Sequence, residues 1–171
     1  MKNTDYSQYL KELYGDNIPV KPEYPPIKKI YLASSMSGER REYIKTAAEK
    51  LRARGYEVYV PMEHQIPNAW DYPNNEWGLM VFTEDIHGIT MSDCVVMLNY
   101  GRTENNTGSA WEAGFAFGIG MRILVVDIIE EQKHTSLMVE NGRTATVDGL
   151  DALDTYDFDK FPPTRTIHEQ S

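Results

Sequence analysis

The stretch Asp93-Cys-Val-Val-Met-Leu-Asn99, the loop Tyr100-Gly-Arg-Thr-Glu-Asn-Asn106, the segment Thr107-Gly-Ser-Ala-Trp-Glu-Ala-Gly-Phe-Ala-Phe-Gly118 and the run Arg122-Ile-Leu-Val-Val126 together decide the fold. The two outer runs are short and almost continuously apolar. Strands of that kind are buried on both faces, as in parallel sheets covered by helices. Between them, Ala110, Trp111, Ala113, Phe115, Ala116 and Phe117 are apolar almost all round, which predicts a core helix rather than a surface one. Glu112 stands in the middle of that set. Burying a lone carboxylate is costly unless it is paired or hydrogen-bonded. Glu112 therefore either has a structural partner or serves chemistry.

Working outward, the same alternation recurs. Lys29–Ala33 reads as a short strand. Glu39–Arg54 has helical periodicity (Tyr43, Ile44, Ala47, Ala48, Leu51) and stops at Gly55. Glu57–Val60 reads as a second strand closed by Pro61, and Thr83–Met91 as a helix with Thr83 as its cap. Beyond Val126, a weak strand near Thr144–Val147 precedes a short helix around Leu150–Thr155. The expectation is an α/β domain with about five parallel strands and helices on both faces. Residues 1–28 form an extension: Tyr6, Tyr9, Leu10, Leu13 and Tyr14 recur at helical spacing, and Pro19, Pro22, Pro25 and Pro26 then make a semi-rigid connector. The catalytic domain is expected to span 29–171, with the short helix strapped over it or touching another subunit.

Composition narrows the partners. The chain has 171 residues, enough for one domain with a substantial core, and a net charge of -9. That charge argues against a nucleic-acid backbone or an anionic membrane as partner. The single cysteine, Cys94, lies in an apolar run, which excludes an intrachain disulfide and suits a reducing compartment. No apolar run approaches the roughly 20 residues a bilayer span needs, and the first residues lack signal-peptide character. A cytoplasmic location is expected.

In open parallel sheets ligands bind outside the carboxyl ends of the strands. That rule selects Ser34–Gly38, the region from Met62 to Glu84, and Tyr100–Thr107. Glu112 then lies near the rim of the cleft. A P-loop, a G-x-G-x-x-G turn and a G-x-S-x-G elbow are all absent from the sequence. His64, His87, His134 and His168 show no metal-ligand spacing, so neither metal nor cofactor is expected. Carboxylates remain. Glu112, within two turns of a helix start, is expected to stay ionised through the helix dipole, as a nucleophile requires. Asp85 reads either as a first-turn helix charge or as a second functional carboxyl; Asp93 reads as a helix-end or turn residue. Two carboxyls facing one cleft suit glycosidic-bond chemistry.

Tyr31, Val60-Pro-Met-Glu-His-Gln65, Glu84-Asp-Ile-His-Gly-Ile89, Ser92-Asp-Cys-Val-Val96 and Thr107-Gly-Ser-Ala-Trp-Glu112-Ala-Gly-Phe-Ala resemble the nucleoside 2'-deoxyribosyltransferases, in order and with similar spacing from Lys29 to Thr155. The resemblance implies a flavodoxin-like (Rossmann-like) doubly wound fold and a retaining double displacement. Glu112 would attack C1' of a 2'-deoxyribonucleoside, Tyr31 orient it, and Asp85 exchange a proton with the base. Gln65 would contact the base; Ser35, Gly108, Asn106, Ser136 and Met138 complete the substrate-binding set. The implied partners are a 2'-deoxyribonucleoside and a free nucleobase, bound by a homo-oligomer with shared active sites. Phe158, Phe161 and the N-terminal tyrosines look exposed enough to serve such contacts, and Met36, Trp70, Trp77 and Met80 are candidates for the pocket wall. Two departures stand out. Asn106 replaces an aspartate common in the family, and Ser136 stands where a subset carries asparagine. The Ser136-x-Met138 arrangement also resembles 2'-deoxynucleoside 5'-monophosphate N-hydrolases, with Ser35, Ser37, Gly38, Arg40 and Arg41 as a phosphate cradle; Arg40 and Arg41 read equally as a solvated helix face. A flavodoxin-like or TIR-like binding module without catalysis is the third reading, and it gives Glu112 no purpose.

Overall fold

In the computed structural model, the described residues are 26–36, 38–64, 66–101, 106–128 and 135–161. The expected N-terminal helix and most of its connector, together with Gln65 and Ser37, lie outside them. Five strands, β1 (Lys29–Ala33), β2 (Glu57–Tyr59), β3 (Cys94–Asn99), β4 (Arg122–Asp127) and β5 (Ala145–Asp148), form one sheet in the order β2-β1-β3-β4-β5. Every pairing is parallel. This is the doubly wound, flavodoxin-like order, with its topological switch between β1 and β3.

Four helices connect the strands: α1 (Arg40–Ala53), α2 (Asn74–Thr90), α3 (Thr107–Gly118) and α4 (Leu137–Gly142). Alternation along the strands assigns the two faces. Ile30, Leu32, Val58, Val96, Leu98, Leu124 and Val126 pack with Ile44, Ala47, Ala48 and Leu51 of α1. Tyr31, Tyr59, Val95, Met97, Ile123 and Val125 pack on the opposite face with Ile89 of α2, Ala113 and Ala116 of α3, and Val139 of α4. Asp93 acts as a turn residue, its carboxylate accepting the Lys28 and Lys29 amides at 2.8 Å each and tying the entrance of β1 to that of β3.

Three expectations change. The helix expected to start at Thr83 starts at Asn74, directly after Pro73, and Thr83 lies within it with Oγ1 donating to the Leu79 carbonyl at 2.8 Å. Its first turns were illegible because they bury nothing: only Gly88 and Ile89 of α2 are buried, so no apolar stripe marks the start. Phe158 and Phe161, expected at the surface, are 2% and 4% exposed. They pack edge-to-face with Tyr156, and Phe158 does so with Tyr56 as well. Finally, α3 is not enclosed on all sides. Ser109, Ala113 and Ala116 are buried, whereas Trp111 and Phe117 are 50% and 43% exposed. The small residues meet the sheet, and the aromatic ones stand over the grooves beside the helix.

Candidate active site

The site is built on β1, α2 and α3. Tyr31 sits mid-strand with its side chain on the α2/α3 face, fully buried, and its hydroxyl donates to Glu112 Oε1 at 3.0 Å. The Tyr31 ring stacks on Tyr59 at 5.4 Å, and Tyr59 stacks in turn on His64 at 4.1 Å. The Tyr59 hydroxyl donates to the Glu84 carbonyl at 3.1 Å, locking the aromatic tier to α2. Gly88 makes that tier fit. A Cβ there would come within 2.5 Å of the Tyr59 ring. The glycine three residues after Asp85 thus has a steric cause. Gly88→Ala is expected to destabilise the fold by about 2 kcal/mol through overpacking. The displaced tyrosines should also slow catalysis. Urea unfolding together with an activity assay checks this, and an unchanged midpoint would refute the steric account.

Asp85 lies in the interior of α2, where the start at Asn74 removes the first-turn explanation for its charge. It faces a cavity of about 290 Å³ that Glu112 also lines, together with Gly78, Phe82, Gly108 and Trp111. Burial pushes the Asp85 carboxyl up to about 6, with Glu84 adding to the effect. Burial likewise raises Glu112 to about 7, against the lowering effect of the Tyr31 hydrogen bond, and the Asp85 charge raises it further. The expected helix-dipole control of Glu112 therefore does not hold. Glu112 is the sixth residue of α3, and the dipole's influence falls off within the first turn. Tyr31, pushed far above its ordinary value by burial and by the neighbouring Glu112, remains a phenol and so a donor. Among the described residues no cation lines the cavity. The pair can therefore share a single proton near neutrality, which suits one group acting as nucleophile and the other as proton carrier.

The remaining predicted residues divide around α3. Asn106 and Ser136 line a second cavity of about 290 Å³ with Asn99, Gly101, Thr107 and Thr135. Asn106 donates through Nδ2 to the Gly101 carbonyl at 2.9 Å. Ser136 caps α4, its Oγ accepting the Val139 amide at 3.3 Å. Ser136 and Met138 share a third, more apolar groove, and Met138 is 84% exposed. Gly108 lines the Glu112 cavity. Ser35 is half-buried in the loop after β1, and Gln65 lies outside the described residues. Of the proposed wall residues, Met80 lines a cavity of about 580 Å³ with His64 and Glu84. Met36, Trp70 and Trp77 are exposed. Arg40 lies over the Tyr100 ring at 4.6 Å, and Arg41 Nε donates to the Met36 carbonyl at 3.2 Å. Cys94 is fully buried, which pushes its thiol up and removes it as a nucleophile.

Sequence reasoning missed the aromatic rim and a buried polar pair. Phe82 and Trp111 meet at 5.3 Å beside the two carboxyls; their pairing crosses from α2 to α3, and no local pattern announces it. Asn99 Nδ2 donates to Asp127 Oδ1 at 2.6 Å where β3 and β4 end. The signal was present there, as polar residues closing two apolar strands.

The chain matches the family model for nucleoside 2-deoxyribosyltransferase over residues 30–147. No curated protein matches it in sequence. Among solved structures it resembles a 2-deoxyribosyltransferase from Bacillus psychrosaccharolyticus, with 27% identity and a TM-score of 0.68, covering 81% of this chain and 99% of the other. A conserved protein from Enterococcus faecalis V583 shares the fold at 18% identity and a TM-score of 0.59, over 78% of this chain and 98% of its own. So does the CMP N-glycosidase BcmB of Clostridium botulinum, at 17% and 0.52, over 75% of this chain and 100% of its own.

Proposed function

The chain belongs to the nucleoside 2-deoxyribosyltransferase family, and from that premise we propose that it transfers 2'-deoxyribose between nucleobases through a covalent ester on Glu112. The observation that carries this reading is the Tyr31–Glu112 hydrogen bond beside a cavity that Asp85 also lines. A Glu112 oxygen attacks C1' of the deoxynucleoside as the N-glycosidic bond breaks. The bond's electron pair leaves with the base, which takes a proton from Asp85. A second base then attacks C1' of the ester, returns its proton to Asp85 and frees the carboxylate. Two displacements at one carbon give net retention. Phe82 and Trp111 at the rim offer planar apolar surfaces suited to a base.

Asn106 and Ser136, on the other flank of α3, are proposed to meet the sugar, with Asn106 contributing hydrogen bonds but no proton transfer. Ser35, Gly108, Met138 and Gln65 complete the proposed substrate contacts. A homo-oligomer sharing its sites is proposed on the family resemblance alone.

The proton inventory sets the pH profile. With Asp85 at about 6 and Glu112 at about 7, the single proton the pair holds in between rests mostly on Glu112. The reactive arrangement is the minor one that carries it on Asp85 with Glu112 ionised. At lower pH both carboxyls hold protons and the nucleophile is lost; at higher pH both are ionised and the leaving base lacks its donor. kcat/KM for exchange should be bell-shaped with its maximum between those values. Asp85→Asn should lower exchange by roughly 100-fold and abolish the alkaline limb. A retained alkaline limb would remove Asp85 from the proton-transfer role. The function itself is tested by mixing a deoxynucleoside, or its 5'-monophosphate, with a second base. Exchange on the nucleoside is expected. Strong preference for the monophosphate with release of free sugar phosphate would instead establish the hydrolase reading, and silence on both substrates the binding module.

A further inference from the structure

Three described side-chain oxygens of α3 and its N-cap, Asn106 Oδ1, Ser109 Oγ and Glu112 Oε2, are buried without any hydrogen-bond partner. They recur every three residues, so each neighbours the next one turn on, and the row winds from the Asn106 flank of the helix to the Glu112 flank. A buried polar group left unpaired costs on the order of 1–3 kcal/mol. Three in one row at the candidate nucleophile call for a common explanation. Ser109 is 3% exposed, so solvent does not serve its hydroxyl. Helical side chains lean toward the N-terminus and lie over the turn below, so Glu112 reaches back toward positions 108 and 109. Gly108 carries no side chain to obstruct it, and nothing stands within 4 Å of where its Cβ would be.

We propose that Ser109 is a positioning residue. By rotation about its Cα–Cβ bond its hydroxyl donates to Glu112 Oε2, so that Tyr31 and Ser109 hold the two carboxylate oxygens from opposite sides. The inference rests on the reading of Glu112 as the nucleophile. A serine hydroxyl both donates and accepts, which lets it serve either state of Glu112. When Glu112 is ionised, Ser109 donates to it. When Glu112 is protonated, its own hydroxyl donates to Ser109 Oγ, and Ser109 turns its hydrogen to Asn106 Oδ1. In that state all three oxygens are satisfied. The groups facing Glu112 are otherwise Tyr31 from β1 and Asp85 from α2, with Tyr59 and Glu84 behind them. His64, stacked behind Tyr59, is the nearest titratable base and acts on Asp85. Among the described residues none that lines the Glu112 cavity is a cation, so a neutral donor such as Ser109 is what they offer the Glu112 anion.

The test titrates Glu112 directly, by carbon NMR of the labelled carboxyl in the full chain, and in parallel follows kcat/KM for base exchange against pH. The bond donated to the ionised carboxylate is charge-assisted and about twice as strong as the one accepted from the neutral acid. Ser109→Ala should therefore move the Glu112 midpoint, and with it the acid limb of the profile, upward by about one unit. Ser109→Thr keeps the hydroxyl and should restore both. A Ser109→Ala midpoint that coincides with the parent's overturns the proposal, whatever happens to activity. A midpoint that moves in a protein showing no exchange upholds the hydrogen bond and overturns the transferase reading instead. A loss of stability without movement of the midpoint would mark Ser109 as merely structural, against the proposal.

Discussion

Glu112→Ala is expected to reduce base exchange by on the order of 10³-fold or more, the loss typical of removing a nucleophile on which both half-reactions depend. The substitution takes away the atom that forms the ester and leaves the rest of the cavity standing. Tyr31 loses its acceptor but stays stacked beside Tyr59 on the buried face of the sheet, so folding should survive and binding of the deoxynucleoside should change far less than turnover. Mass spectrometry of the parent protein mixed with deoxynucleoside alone should show a fraction carrying one deoxyribosyl group. The Glu112→Ala protein should show none. Exchange that persists in the variant would transfer the role to another carboxyl, with Asp85 first in line as the other acid of the cavity.

The second large effect is on stability, with the opposite sign. Glu112→Gln should make the protein more stable relative to the parent as pH rises. The Glu112 carboxyl is raised in the fold from an ordinary 4.5 to about 7, chiefly by burial. Below 4.5 it is protonated both folded and unfolded, and contributes no pH dependence. Between the two values the unfolded chain releases the proton and the folded one keeps it. Above about 7 the fold must carry a buried charge. Stability from this group is therefore highest at low pH and is lost as pH climbs through 7. The loss between pH 5 and pH 9 amounts to roughly 2–3 kcal/mol. Glutamine keeps the oxygen that accepts from Tyr31 and removes the charge. The new amide group stands where the protonated acid's hydroxyl would and can donate to Ser109 Oγ in the same way. That contribution does not vary with pH, so the difference between the two pH values isolates the charge. Urea unfolding of parent and variant at pH 5 and pH 9 measures it. Parallel pH dependences in the two proteins would show that Glu112 ionises in the fold without penalty. Together the two substitutions describe a site that sacrifices stability for chemistry, a common condition of active sites.

Much of the fold was legible because the signals were local. Cys94–Asn99 and Arg122–Val126 are apolar on both faces, and only a covered parallel sheet asks for that. Gly55 and Gly120 stand just beyond the ends of α1 and α3 with positive φ, where glycine is favoured. The start of α2 was not legible, since Asn74–Phe82 is exposed nearly throughout and carries no stripe. Phe158 and Phe161 misled for a related reason: aromatics in a short 3₁₀ segment near the chain end look exposed until Tyr56 and Tyr156 are seen to enclose them. Glu112 stood out as a carboxyl in an apolar setting, whereas Asp85 read equally as a first-turn helix charge and took its role only from the resemblance carried by Glu84-Asp-Ile-His-Gly-Ile89.

The sequence by itself determined the strand–helix alternation, the parallel sheet and the identity of the residues that could do chemistry, because periodicity and residue type act over a few positions. Only the tertiary structure decided what those residues experience. Asp85 and Glu112 are 27 positions apart in the chain, and packing α2 against α3 over Tyr31 is what places them at one cavity. Their proton affinities follow from burial there, not from the helix start that the local sequence pointed to. The row of unpartnered oxygens from Asn106 to Glu112 has the same origin, since desolvation belongs to a surrounding that distant segments assemble.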